Sequence, residues 1–149
     1  MLLQLEDDYR WVLFVASLIG FHCTITGFFA GSRRKHVFSE AFMEKNFKAE
    51  HERFFPGQKV PKGGFPDMGN GRYAEKLSYK DWFEFNVGQR IHYNYLECIA
   101  CVVVWLLVGG LAYNWVATGF GAGFLGGRIL YHIGYSMKGP SGRGIGFVL

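Results

Sequence analysis

The chain has 149 residues, half of them apolar, with 15 Phe, 8 Tyr and 4 Trp, and a formal charge of +4. That length allows one membrane domain, residues 1–149, and the aromatic load is heavy for a soluble domain so short. The 16 Lys and Arg and 12 Asp and Glu lie almost entirely outside three apolar stretches, so the positive charge flanks membrane segments. Anionic lipid accounts for such an edge, and no nucleic-acid partner is expected.

The first stretch, residues 11–30, has no formal charge and suffices for a helix across a hydrocarbon core of about 30 Å. Acidic Glu6, Asp7 and Asp8 precede it and no small-residue cleavage pattern follows before Arg33, so no cleaved targeting segment is expected. The second span is expected at 95–113 and the third at 115–135, a tight hairpin with Asn114 alone at its turn. Ser32-Arg33-Arg34-Lys35 closes the first span, and Lys138 and Arg143 follow the third. The basic flanks predict a cytoplasmic side, or its organellar equivalent, for the long connection and the carboxyl tail.

Between the first two spans lies a polar loop, about 39–81, with Pro56, Pro61, Pro66 and the run KGGFPDMGNG. Its composition suits a segment ordered on a partner better than a domain. Phe42, Met43, Phe47 and Phe54 stand near helical spacing among mixed charges, which predicts a short amphipathic helix at the surface. The competing reading is a solvated loop.

Gly119, Gly121, Gly123, Gly126 and Gly127 crowd the third span, where small residues let helix backbones approach closely. A dinucleotide-binding reading of GFGAGFLGG fails because no strand precedes it. Cys23, Cys98 and Cys101 all fall inside spans, where they read as small apolar filler, and no metal site is expected. His22 and His132 read as packed or interfacial side chains, with no second histidine at ligand spacing to either in the sequence.

Chemistry concentrates at the entry to the second span, FEFNVGQRIHYNYLE. Arg90, Asn94 and Glu97 stand at i, i+4 and i+7 and share a helix face, as do Arg128, Tyr131 and Tyr135 at i, i+3 and i+7 on the third span. The hairpin directs both faces to one membrane side, where they are expected to line one pocket. An intramembrane charge costs several kcal/mol and so marks a site facing a bundle interior or wet cavity. Simple pairing of Arg90 with Glu97, or arginines reaching up to head groups, is the plainer alternative. Two guanidiniums, a carboxylate, an amide and two phenols suit a small zwitterion with several carboxylates.

The blocks Gln89-Arg90-x-His92-x-Asn94-x-Leu96-Glu97 and Gly127-Arg128-x-Leu130-Tyr131-x-x-Gly134-Tyr135 resemble those of the MAPEG family, membrane-associated proteins of eicosanoid and glutathione metabolism, and most closely its microsomal glutathione transferase type 3 branch. The resemblance implies an all-α transmembrane bundle, trimeric, with glutathione as co-substrate held between subunits. By position Arg33, Arg90, Asn94, Glu97, Arg128, Tyr131 and Tyr135 match family residues that contact glutathione. Where the family carries a further tyrosine after the motif glutamate, Cys98 stands here. The implied chemistry is attack by glutathione thiolate on lipophilic electrophiles or lipid hydroperoxides. Cationic neighbours favour thiolate over thiol, and Arg34 and Arg143 are the candidates for that catalytic role.

Two departures set a rival beside the enzyme. The family has four spans, whereas after Tyr135 only SMKGPSGRGIGFVL follows, and the 39–81 segment enlarges a short family link. The rival is a non-catalytic accessory subunit of a larger membrane complex, such as a respiratory assembly, with other membrane subunits as partners. Membrane lipids are partners in either case, and the expected location is an endoplasmic-reticulum or mitochondrial membrane. A channel is disfavoured, because three short spans with one polar cluster offer no through-path.

Overall fold

The computed structural model describes residues 6–148, and within them the fold is all-α, with no strand. Four helices dominate: α1 (Tyr9–Val37), α2 (Glu40–Phe54), α3 (Tyr79–Gly110) and α4 (Asn114–Lys138). A 3-10 turn, Gly139–Arg143, and a short α5 (Gly144–Val148) complete the chain. Among the described residues α1 and α3 are the two helices long and apolar enough to cross a bilayer. The expected third span, α4, has the length at 25 residues, but its glycines, Tyr131, His132 and Arg128 dilute its hydropathy, and it is not among them.

The chain divides into two compact units. The first joins Met1–Gly27 to Ile91–Leu149 and is a bundle of helix segments. Its core takes Val12, Val15, Ile19 and Cys23 from one face of α1, Tyr95, Val102 and Leu106 from α3, and Ala117 and Phe124 from α4. Those three- and four-residue intervals put each set on one helix face. The opposite faces carry exposed apolar side chains, among them Phe21, Trp105, Val108, Val116 and Phe120, as helices bathed in lipid require.

Glycine sets how closely these helices pack. A Cβ on Gly121 would stand 2.6 Å from Val15 Cγ1 and 2.9 Å from a Leu106 methyl, so α4 reaches its two neighbours only because the side chain is missing. Gly110 likewise faces Val12 at 2.9 Å and ends α3 three residues before the predicted boundary. The turn is therefore Leu111–Tyr113 rather than Asn114, closed by Tyr113 N–H on Gly109 O at 2.9 Å. Asn114 instead opens α4, its Oδ1 accepting from Trp115 N–H at 2.7 Å.

The second unit, Phe28–Arg90, contains the segment expected as a polar loop. It holds a 15-residue helix and 3-10 turns at Lys62–Gly64 and Ala74–Lys76, folded on a core of Val37, Phe38, Met43, Phe47, Ala74 and Phe85. Ser39 caps α2, its hydroxyl oxygen accepting from Phe42 N–H at 3.3 Å. The expected amphipathic helix thus exists, with Met43 and Phe47 buried and Phe54 left exposed.

Asp67 organises the proline- and glycine-rich stretch. Its carboxylate accepts backbone N–H groups from Gly69 at 2.7 Å, Gly71 at 3.0 Å and Ala74 at 2.8 Å. Gly69 O then accepts from Trp82 Nε1 at 3.0 Å and Asn86 Nδ2 at 3.1 Å, which ties the stretch to the start of α3. Burial alone would raise the Asp67 carboxyl, but these backbone donors outweigh it and hold it below its ordinary value. A carboxyl depressed in the folded state contributes stability above its unfolded pKa of about 3.9 and loses it as pH falls through the folded value. Asp67→Asn should therefore cost this unit about 1–3 kcal/mol at neutral pH and remove part of its acid sensitivity below about pH 3.9. Trp82 fluorescence across a pH titration of both proteins reads the difference; superimposable titrations would refute it.

Candidate functional site

Arg128 is the buried charge of the helical bundle. It sits one residue past the α4 glycine run and is only 7% exposed. Its Nη1 donates to Asn94 Oδ1 at 2.6 Å and its Nη2 to Gly146 O at 3.3 Å. The guanidinium carbon stands 5.2 Å from the ring centres of both Phe124 and Tyr131, within cation–π range. Its Nε is buried without a hydrogen-bond partner among the described residues. An orphaned guanidinium N–H is costly to bury, so the arrangement favours any acceptor that reaches it.

Asn94 links this arginine to a carboxylate, donating from Nδ2 to Glu97 Oε2 at 3.3 Å. Tyr131 and Tyr135 are both buried, with ring centres 5.4 Å apart. Asn94, Glu97, Arg128, Tyr131 and Tyr135 therefore lie in one unit, as does Arg143, which is exposed. Within that unit the structure joins Arg128, Asn94 and Glu97 directly.

Arg33, Arg34 and Arg90 belong to the unit Phe28–Arg90. Arg33 pairs with Glu84 at 3.0 Å and lies over the Phe29 ring at 5.2 Å. Arg90 is exposed. Arg34 is 5% exposed and surrounded by aromatic rings, 4.3 Å from the centre of Phe65, 5.2 Å from Phe85 and 5.9 Å from Phe38. It donates to Gly63 O at 3.2 Å and to Met68 Sδ at 3.4 Å, contacts that fasten the proline- and glycine-rich stretch to α1.

Sequence reasoning missed one constellation. His22 of α1 lies 3.4 Å by Nδ1 from the Tyr95 hydroxyl, and its ring centre is 5.9 Å from that of His132 on α4. A second pair, Thr26 Oγ1 with His92 Nδ1 at 3.0 Å, lies one turn along α1. The only sequence signal was three histidines within apolar helices, and nothing in their spacing relates residue 22 to residue 132. Among the described residues no group of three or more His, Cys, Asp and Glu is placed to hold a metal ion.

The carboxyl tail is laid back along α4. A Cβ on Gly146 would stand 2.6 Å from Gly127 O and collide with the Tyr131 backbone N, and Gly142 meets Gly134 backbone to backbone. Together these contacts bring the Gly146 carbonyl to Arg128. The MAPEG family model matches residues 11–149, the helices, the polar blocks and this tail included. The chain belongs to the MAPEG family. Its members typically use glutathione and are typically trimeric membrane proteins. No solved structure matches the chain. The family match extends through the 3-10 turn and α5.

Gly146→Val should lift this tail off α4 and accelerate tryptic cleavage after Arg143 several-fold in detergent, with α4 unaffected. Cleavage at the wild-type rate would show that the tail does not depend on the close approach at Gly146.

Proposed function

We propose that this MAPEG protein is a glutathione transferase or peroxidase that uses glutathione thiolate against lipophilic electrophiles or lipid hydroperoxides. The observation that carries the reading is Arg128, a guanidinium buried in the bundle with one N–H unpaired among the described residues and its Nη1 committed to the Asn94–Glu97 chain. A tripeptide bearing two carboxylates and an ammonium matches that equipment. Guanidinium groups take carboxylates by paired charge-assisted bonds, and Glu97, exposed on α3, takes the ammonium.

By family position Arg90 and Arg33 are further candidates for carboxylate contacts, and Tyr131 packs against the Arg128 guanidinium with Tyr135 beside it. Thiolate formation needs a cation close to sulfur, because a positive neighbour lowers a thiol's pKa toward neutrality. Arg143 suits this role better than Arg34. Arg143 is exposed on the tail that contacts α4, whereas Arg34 already donates to Gly63 O and Met68 Sδ inside a box of rings. We take α4 as a third span beside α1 and α3, because an arginine that faces the bundle interior is tolerated in a spanning helix. The particle is then a homotrimer in an endoplasmic-reticulum or mitochondrial membrane.

One observation favours the rival, an accessory subunit of a larger membrane assembly. The unit Phe28–Arg90 exposes Phe54, Phe55, Tyr79, Trp82 and Phe83, an aromatic surface of the kind that partners cover. Calorimetry with glutathione on the native detergent-solubilised particle, together with its mass, separates the two. Binding by a particle of three chains supports the enzyme, and Arg128→Ala and Arg90→Ala should each then weaken binding about 10- to 100-fold. Absence of binding in a much larger particle would move the conclusion to the accessory subunit.

A further inference from the structure

His22 lies midway along α1, about 20 Å from its first turn, and so in the interior of any bilayer this helix crosses. An imidazole there has to find partners within the protein or serve a ligand. Its tautomer follows from the hydrogen bonds. The Tyr95 hydroxyl donates its single proton to Ile19 O at 3.1 Å, so the Tyr95 oxygen is left to accept from His22 Nδ1–H at 3.4 Å. Neutral His22 therefore carries its proton on Nδ1, and Nε2, on the far side of the ring, is the proton-accepting nitrogen.

His92 shows the contrasting arrangement. Thr26 donates to Cys23 O at 2.7 Å and accepts from His92 Nδ1 at 3.0 Å, but the ring is packed on the α1 backbone, where a Cβ on Gly27 would be 3.2 Å from its Cε1. His92 is thereby used in packing. The His22 ring is half-buried and is met by His132 at a centre-to-centre distance of 5.9 Å, their planes inclined at 46°. Two imidazoles at that spacing admit one oxygen atom hydrogen-bonded to both at ordinary N···O lengths of about 2.8–3.0 Å. His132 is also four residues after Arg128 on α4, which places their Cβ atoms about 5–6 Å apart on one face.

We propose that His22 and His132 form the site for the polar head of the lipophilic substrate, a lipid hydroperoxide, with His22 as the proton carrier in its reduction and Tyr95 as the residue that positions His22. The proposal rests on the glutathione reading above and names the residues that act on the second substrate. The hydroperoxide's terminal O–H donates to His22 Nε2. Glutathione thiolate attacks that terminal oxygen, an S–O bond forms and the O–O bond breaks. Sulfur is oxidised by two electrons and the peroxide bond is reduced. The proton of the terminal oxygen passes to Nε2 and from there to the departing alkoxide, so that sulfenate and lipid alcohol result and His22 ends neutral, as it began. A second glutathione thiol converts the sulfenate, on protonation, to disulfide and water. His132, on the turn after Arg128, holds the oxygen head from the α4 side.

The test compares two reactions of the full chain in lipid nanodiscs, each with glutathione. Reduction of a fatty-acid hydroperoxide needs the proton carrier; substitution of chloride from a chlorodinitrobenzene does not, because chloride leaves without a proton. His22→Gln should lower kcat for the hydroperoxide about 100-fold, with the KM for glutathione held, and lower chloride substitution by a far smaller factor. Tyr95→Phe should shift the ratio of the two rates in the same direction and by less. Equal losses in both reactions would assign these residues to packing and overturn the proposal, as would a wild-type protein that conjugates the chloroarene but reduces no hydroperoxide. A wild type that neither binds glutathione nor catalyses either reaction would overturn the enzyme reading itself.

Discussion

A guanidinium inside an apolar bundle is costly for every donor left unmet, and the burial of Arg128 constrains everything around it. Arginine does not neutralise by losing a proton, so the cost of burial has to be offset by neighbours. Three parts of the chain supply them: Asn94 from α3, the Gly146 carbonyl from the tail, and the rings of Phe124 and Tyr131 from α4 itself. The tail comes close enough only because Gly146 lacks a side chain, since a Cβ there would stand 2.6 Å from Gly127 O and collide with the Tyr131 backbone. Glycine enrichment in and after α4 thus has a local cause at Gly121, where the helices cross, and at Gly146, where the tail meets the charge. At Gly119 and Gly123 the space beside the helix is open, and packing gives no reason for the residue.

The unit Phe28–Arg90 meets the same requirement by other means. Arg34 is buried with aromatic faces around its guanidinium and a carbonyl and a thioether at its edge, so the cation itself joins α1 to a stretch poor in regular hydrogen bonding. Asp67 is its complement, an anion surrounded by backbone N–H groups. A segment rich in proline and glycine pairs few of its own backbone groups, and these two charges replace what a helix or sheet would have provided. Gly64 shows how tight the result is, since any Cβ there would run into the Phe38 ring at a backbone angle of +67°.

The parts of this fold that are legible in the sequence are those with a long periodic signal. The uncharged run in α1, the second apolar run in α3 and the intervals of Phe42, Met43 and Phe47 in α2 all produce the expected helices. Boundaries were read less well: Gly109-Gly110 ends α3 early because Gly110 packs on Val12, a tertiary fact. Of the candidate site, the i, i+4, i+7 reading put Asn94 and Glu97 on one face, and they do meet, but spacing could not show that Asn94 would also hold Arg128. The Arg34 ring box and the Asp67 turn left no periodic trace, since each depends on residues scattered through an irregular segment. His22 and His132 are not legible as neighbours because nothing in their spacing gives the rotation of α4 against α1.

Family membership and geometry constrain different things. The family match makes a glutathione-dependent membrane enzyme the natural starting point, yet folds outlast the chemistry they first carried, and function has to be argued from the site. Burial separates the two possibilities. A guanidinium N–H buried without an acceptor among the described residues carries a penalty that architecture alone does not call for. Nor would architecture need an imidazole held in one tautomer midway along a spanning helix. The exposed aromatics of the unit Phe28–Arg90 are compatible with either role, since an enzyme can also dock on a partner. The polar groups inside the bundle are compatible with fewer. They are costly to keep, with Arg128 on α4 and His22 on α1, and their chemistry, a cation for an anion and the His22 Nε2 for an O–H, fits two reactants brought together more closely than it fits a scaffold.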